Sequence, residues 1–559
     1  MRAGLVLRVG SADEPLVVSG VTHLLEHLAL FGVTRPDEHA NGQVDQTITS
    51  FHRSGNEAEI SGFLNTLTRQ LTQPPLHRLA DERRVLETEA AGWSATAEAS
   101  LLLWRHGGRG YGVAAFDGVG LPRVDETVVA QWARRFATRG NAVVWFTGPP
   151  PAGLRLALFD GPAVPPPSPW GSIQPAFPAY FTGPDGGIAL SAVLPAGPAG
   201  DALAKVAGAR MFDERRTRRA VAYSPQARYR SVTADAAFLT LSSDLAAGRQ
   251  SDGVRPFLAL LEDLAGRGSG APVAAEEVAR WREQFARDLL EPDAALGLVV
   301  RRSLRAVLGG TPQDPREMWE AIEAVQPEDV AAAAEAALAT ALARILSGIR
   351  VVREPWRRAI ATQLEPLPGP GFAPAGRAPD PREELVVSPG GVTLHRGESH
   401  VTVTQISTVA VQAWPDGRRK VISSEGNEIL VEPSLWLGGP DAVARIDALW
   451  GPDLHVPMPP RRPWEIPAPP APMTPDAPGA AQAPTTGWAS AARLLERAAQ
   501  IVLFLSLAVY LALVGVTACT MAGGEPSTSE AALDVVIGLA FLAASVGVFV
   551  VFARFLRRG

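Results

Sequence analysis

The stretch Gly20-Val-Thr-His-Leu-Leu-Glu-His-Leu-Ala-Leu-Phe-Gly32 constrains this chain more than any other, because it sets His23, Glu26 and His27 in an H-x-x-E-H pattern. On a helix His23 and His27 are i and i+4, so both imidazoles leave one face toward a common point. Two neutral imidazoles at that separation suit a tetrahedral zinc ion, which then needs one more protein ligand and one open position for water. Glu26 sits one residue before the second histidine, close enough to take a proton from that water. The order is the inverse of the H-E-x-x-H metal-site helix. A bare match arises by chance in roughly one such chain in a hundred, so a third ligand has to be found.

The segment Leu79-Ala-Asp-Glu-Arg-Arg-Val-Leu-Glu-Thr-Glu-Ala90 predicts a second helix, with Leu79, Val85 and Leu86 as its apolar positions. Glu82 and Glu89 are two turns apart and share a face, whereas Glu87 points elsewhere. Taken alone, a Glu-rich helix is more often a solvated face. Here it follows the histidine helix.

In that order the two helices resemble the pitrilysin/insulinase family of zinc peptidases, which includes mitochondrial processing peptidase. Other segments fall in family order too: Ser19-Gly20, Thr49-Ser50-Phe51 with Glu57-Ala-Glu-Ile60, Tyr111-Gly112, the helix Thr127 to Phe136, and Asn141 to Gly148. The resemblance implies that His23, His27 and Glu89 ligate zinc, that Glu26 is the general base, and that Glu82 is a carboxylate orienting the site from behind the ligands. Two departures are visible. The spacing from His27 to Glu89 is shorter than is usual in the family, and Asp45-Gln-Thr-Ile-Thr49 replaces an Asn-Ala-x-Thr strand that lines the substrate. Zinc held by two imidazoles and a carboxylate lowers the pKa of its water and polarises a scissile carbonyl, and Glu26 would shuttle the proton to the leaving amine.

Residues 180 to 350 resemble the family's catalytically silent second half. Met211-Phe-Asp-Glu-Arg-Arg-Thr-Arg-Arg-Ala-Val-Ala-Tyr-Ser224 is similar to a family stretch in which an arginine and a tyrosine reach the substrate; Arg216 and Tyr223 match that pair, and Ala220 stands where the family has glycine. A guanidinium or phenol donating to a developing oxyanion is a sound electrostatic role, against which stands the reading of Arg215, Arg216, Arg218 and Arg219 as a solvated basic helix end. No histidine occurs between His106 and His395, so this segment cannot build a second histidine-zinc site.

At 559 residues the chain should hold roughly three to four domains. Its net charge of −6, without an extended basic patch interleaved with aromatics, argues against a nucleic-acid partner. A single cysteine, Cys519, excludes an intramolecular disulfide framework. Abundant Ala, Gly, Pro and Arg suggest a GC-rich bacterial genome.

Hydrophobic residues make up 46% of the chain and charged ones only 20%, and the C-terminus explains the imbalance. Ala498 to Met521 and Val535 to Ala553 carry no charge and are each long enough to span a bilayer core of ~30 Å. Gly523 to Glu530 between them lacks Lys and Arg, while Arg493, Arg497, Arg554, Arg557 and Arg558 lie outside, so both ends should face the cytoplasm. Met1 to Gly10 alternates like a strand and is too interrupted for a signal peptide. Pro-rich stretches near Leu367 to Pro381 and Val456 to Pro484 read as linkers, the second an extended spacer. Between them, Val392 to His395, His400 to Thr404, Val409 to Trp414 and Ile429 to Val431 read as strands, followed by a helix from Asp441 to Trp450. Strands closed by one helix suggest a pleckstrin-homology-like module by fold analogy alone. His395 and His400 read as surface residues.

The expected class is α+β: a catalytic half over 1–165, a silent half over 180–350, a linker over 351–383, a small β-rich domain over 384–455, a spacer over 456–490 and a transmembrane hairpin at 498–521 and 535–553. The family resemblance implies a zinc metallopeptidase acting on peptides or small proteins. It would be multi-pass in a bacterial plasma membrane with its catalytic domains cytoplasmic, and a homodimer is the simplest assembly because one chain carries both the zinc motif and the Arg/Tyr pair. The competing class is a non-catalytic scaffold or binding protein that kept the fold.

Overall fold

The computed structural model describes residues 1–33, 40–91, 96–116, 118–183, 187–213, 225–245, 250–291, 293–349, 354–375 and 383–468. The two apolar spans and most of the proline-rich spacer lie outside the described residues. Residues 1–473 form one compact unit.

The first sheet is antiparallel, in the order β2-β3-β1-β4, from Arg2–Leu7 (β1), Ala40–Val44 (β2), Thr49–Ser54 (β3) and Ala142–Phe146 (β4). Helices Val21–Leu30 (α1), Glu57–Thr72 (α2) and Glu126–Phe136 (α5) cover one face, and Leu79–Ala91 (α3) packs on α1. Leu5, Phe51, Leu24, Leu28, Phe63, Leu64 and Phe136 meet in this core. Each such side chain contributes about 1.5–3 kcal/mol on burial. The helix starts are set locally. Asn56 accepts from the Glu59 N–H at 3.0 Å while Glu59 accepts from the Asn56 N–H at 2.8 Å, a reciprocal cap for α2. Asp125 accepts from the Val128 N–H at 2.8 Å and starts α5.

The second sheet runs β10-β5-β9-β6-β8-β7, built from Ala179–Gly183 (β5), Ile188–Pro195 (β6), Gln226–Ser231 (β7), Ala236–Ser243 (β8), Leu342–Leu346 (β9) and Arg357–Arg358 (β10). Pro198–Phe212 (α6), Gln250–Leu264 (α7) and Pro327–Leu338 (α11) fill one face with Leu203, Phe257, Leu261 and Val330, while Ala275–Asp288 (α8) and Pro315–Ala324 (α10) pack around α6.

Each half lends a helix to the other. Ala97–His106 (α4), in the first half by sequence, lies on the open face of the second sheet, where Leu101 meets Ala189 and Leu342 and Trp104 stacks on Phe181 at 4.5 Å. Ala294–Val307 (α9), in the second half, covers the outer face of the first sheet through Val307, Val300 and Leu304 against Val6 and Trp145. This exchange accounts for β1. Its sequence alternates like a half-exposed strand, but from Ala3 to Leu7 every residue is buried, because both faces are covered. On α3, Leu79 and Leu86 are buried as expected, whereas Val85 is 44% exposed; it lies on the solvent side of a helix that packs along one face only.

The third region pairs two antiparallel-based sheets. Gly371–Phe372 (β11), Glu383–Ser388 (β12), Gly391–Arg396 (β13) and Ser399–Thr404 (β14) form one. Thr408–Ala413 (β15), Arg419–Ser423 (β16), Glu428–Val431 (β17) and His455–Pro457 (β18) form the other, and Gly439–Leu449 (α12) closes the core with Ile446. The strands β10 and β11 lie within the stretch read from sequence as a linker. His395 and His400 are cross-strand partners, and His400 Nε2 lies 3.0 Å from the Leu364 carbonyl.

Candidate metal centre

The site begins with how α1 starts. Gly20 sits in the left-handed region at φ +94°, and a Cβ there would lie 2.8 Å from Leu121. The Gly20 and Thr22 N–H groups donate to the Glu14 carboxylate at 2.7 Å each, which satisfies helix-start donors with an anion. From this fixed start, Leu24, Leu25 and Leu28 turn into the core, His23 and His27 turn toward Glu89 of α3, and Glu26 lies against Gly42 of β2.

One nitrogen from each of His23 and His27 and one oxygen of Glu89 lie within 4.8 Å of one another. The imidazoles are edge-on, with centroids 4.8 Å apart. Tetrahedral zinc with bonds near 2.0–2.1 Å would set its ligand atoms about 3.3 Å apart, somewhat closer than they lie here. His27 faces two carboxylates from different nitrogens: Nε2 is 4.0 Å from Glu89 and Nδ1 is 3.5 Å from Glu82. Glu82 in turn accepts from Arg78 at 3.3 Å, and Arg78 lies over the Phe31 ring at 4.7 Å. A histidine that ligates through one nitrogen and donates through the other to a fixed carboxylate is the usual arrangement at a metal.

Glu26 is the unusual group. It is 5% exposed, its Oε2 has no hydrogen-bond partner among the described residues, and that oxygen is 3.8 Å from His23 Nε2. Burial, and then the charge of Glu89, push its pKa up to about 7. A buried carboxyl left without a partner is costly, and a bound cation with its water would satisfy it. Two imidazoles, one carboxylate and an orphaned carboxyl are a donor set that fits zinc.

The site also depends on Gly42, which no motif marks. A Cβ on this β2 residue would lie 2.3 Å from Glu26 Oε1 and 2.7 Å from Leu30 Cδ1, so only glycine lets the strand approach Glu26. The sign available in the sequence was a glycine inside a strand, which often marks a close approach. The space around these groups is about 470 Å³ and is lined by His23, Glu26, His27, Gly42, Glu82 and Glu89. Asp45 directly follows β2 and pairs with Arg230 of β7. Arg216 and Tyr223 lie outside the described residues.

No protein-family model and no curated protein matches this chain. Solved structures similar to it include a protease from Helicobacter pylori, at 16% identity and TM-score 0.48, covering 62% of this chain and 93% of that one. A peptidase M16 inactive domain from Pseudomonas fluorescens is similar at 13% identity and TM-score 0.48, covering 61% and 91%. Pitrilysin is similar at 14% identity and TM-score 0.43, covering 62% of this chain and 42% of its own.

Proposed function

We propose that this chain is a zinc metallopeptidase of the pitrilysin/insulinase type. The observation that carries the reading is the convergence of His23 and His27 with Glu89 beside a buried Glu26 whose Oε2 has no hydrogen-bond partner among the described residues. His23, His27 and Glu89 would hold zinc, which supplies an activated water and polarises the scissile carbonyl. Glu26, with its pKa raised to about 7, can hold the proton taken from that water and release it to the departing amine. Glu82 orients His27 through Nδ1 and is itself held by Arg78. Arg216 and Tyr223 are assigned to the developing oxyanion on the family resemblance alone.

The substrate would be a peptide or small protein, and a homodimer is the simplest assembly. Among the described residues no helix is long and apolar enough to cross a membrane. The tether is assigned to the uncharged spans 498–521 and 535–553, with the flanking arginines placing the peptidase on the cytoplasmic side.

Metal analysis and turnover of a mixed peptide library by the purified protein test the reading. Glu26→Gln should keep zinc and abolish hydrolysis, because it removes the base and leaves the ligands. His23→Ala with His27→Ala should lose the metal. Full zinc occupancy in that double variant sinks the site assignment. Zinc binding without hydrolysis of any peptide favours the scaffold reading instead.

A further inference from the structure

A second cavity, of about 610 Å³, opens beside the metal cluster and shares His23 and Glu89 with it. Its opposite wall comes from β7, the terminal strand of the second sheet, which contributes Arg228 and Arg230. These residues are two apart in a strand and therefore lie on one side of it.

Matching charges around this cavity leaves one group over. Glu14 is engaged by the start of α1, accepting from Gly20 and Thr22 at 2.7 Å. Asp45 and Glu98 are both engaged by Arg230, which donates to Asp45 and, at 3.0 Å, to Glu98. Glu89 belongs to the metal cluster. Arg230 thus ties the residue that follows β2, the first turn of α4 and β7 together as the frame of the cavity. Arg228 is exposed, and among the described residues its guanidinium meets only the neutral Gln226 side-chain oxygen at 3.2 Å, with no carboxylate. A planar donor fork facing a cavity next to the reacting centre is suited to a carboxylate that arrives with the substrate.

We propose, resting on the peptidase reading, that this cavity is a subsite for an acidic side chain near the cleaved bond, and that Arg228 reads its carboxylate. The chain as a whole carries a charge of −6, so long-range attraction cannot produce such a preference. It has to come from this local cation, and it should weaken as salt rises.

The test uses the full-length, zinc-loaded protein and quenched-fluorescence peptides that differ only in Glu, Gln or Lys at each position flanking the cleaved bond. Each is made with a free and an amidated C-terminus. At one position Glu should exceed Gln by about three- to tenfold in kcat/KM, chiefly through KM, as for one partly exposed ion pair. Arg228→Gln should bring that ratio to unity, Arg228→Lys should retain part of it, and Arg228→Glu should favour Lys. Hydrolysis with the same Glu-to-Gln ratio in wild type and Arg228→Gln at every position overturns the subsite and leaves the peptidase reading standing. A preference that follows the free C-terminus rather than the side chain also overturns it. If no peptide is hydrolysed, fluorescence anisotropy of the same peptides on the Glu26→Gln protein decides: a Glu preference that Arg228→Gln removes sustains the subsite while the peptidase reading falls, and equal binding ends both.

Discussion

Gly42 and Glu82 shape the proposed metal centre without being among its proposed ligands, and each makes a separable prediction. A methyl group at Gly42 has Glu26 Oε1 at 2.3 Å and must displace it. Gly42→Ala should therefore keep zinc while lowering kcat on the order of ten- to a hundredfold, the usual cost of moving a reacting group by about an ångström. Unchanged kcat would show that Glu26 has room the structure does not suggest. Glu82→Gln should weaken zinc binding by roughly ten- to a hundredfold in a chelator competition, as loss of a carboxylate behind a ligating histidine does. His106 offers a test in pH. Burial and then the neighbouring Arg105 charge push its pKa from 6.5 down to about 3. Below pH 6.5 the unfolded chain binds a proton that the folded chain refuses, so stability is lost as pH falls toward 3. The slope is about 1.4 kcal/mol per pH unit. His106→Gln should remove that share, so that denaturant midpoints of wild type and variant converge between pH 7 and pH 5. The histidines and Glu89 were legible from spacing and resemblance; Gly42 and Arg78 were not, because close approach and stacking depend on what a distant segment brings near.

Among the elements, α4 and α9 decide how rigidly the site is held. Arg105 on α4 is 2% exposed and donates through Nη2 to the Ser191 and Thr340 carbonyls at 2.9 and 2.7 Å, fastening the helix to the second sheet. On α9, Val307 is 9% exposed against Val6 and Trp145. Val307→Asp buries a charge there and should cost on the order of 3–5 kcal/mol. It should speed amide exchange in β1 and β4 before α7 and α11, since those helices fill the other core. Uniform loss of protection throughout the chain would show that the two cores unfold as one. Of the third region, four strands and the closing helix were legible from period; β12 and β16 were not, because neither carries a clean alternation of its own.

For the whole molecule, every proposed site residue precedes the proline-rich spacer. Truncation after Pro484 keeps the unit 1–473 complete. It should yield protein that stays in solution without detergent and binds zinc at the stoichiometry of the full chain. Protease protection in vesicles of both orientations tests the topology, and digestion of the N-terminal half only from the outer face would overturn the cytoplasmic placement. The sequence by itself determined what depends on local spacing: the α1 motif, the order of α1 and α3, four strands and the closing helix of the third region, and the uncharged length of the two C-terminal spans. Only the tertiary structure decided which carboxylate faces which nitrogen of His27, that Glu26 is buried with no hydrogen bond to Oε2 among the described residues, that Gly42 must be glycine, and that each of the first two sheets takes its outer cover from the other half. Those outcomes rest on contacts between residues far apart in the chain, such as Arg230 with Asp45 across 185 positions. Periodicity carries no record of such a contact.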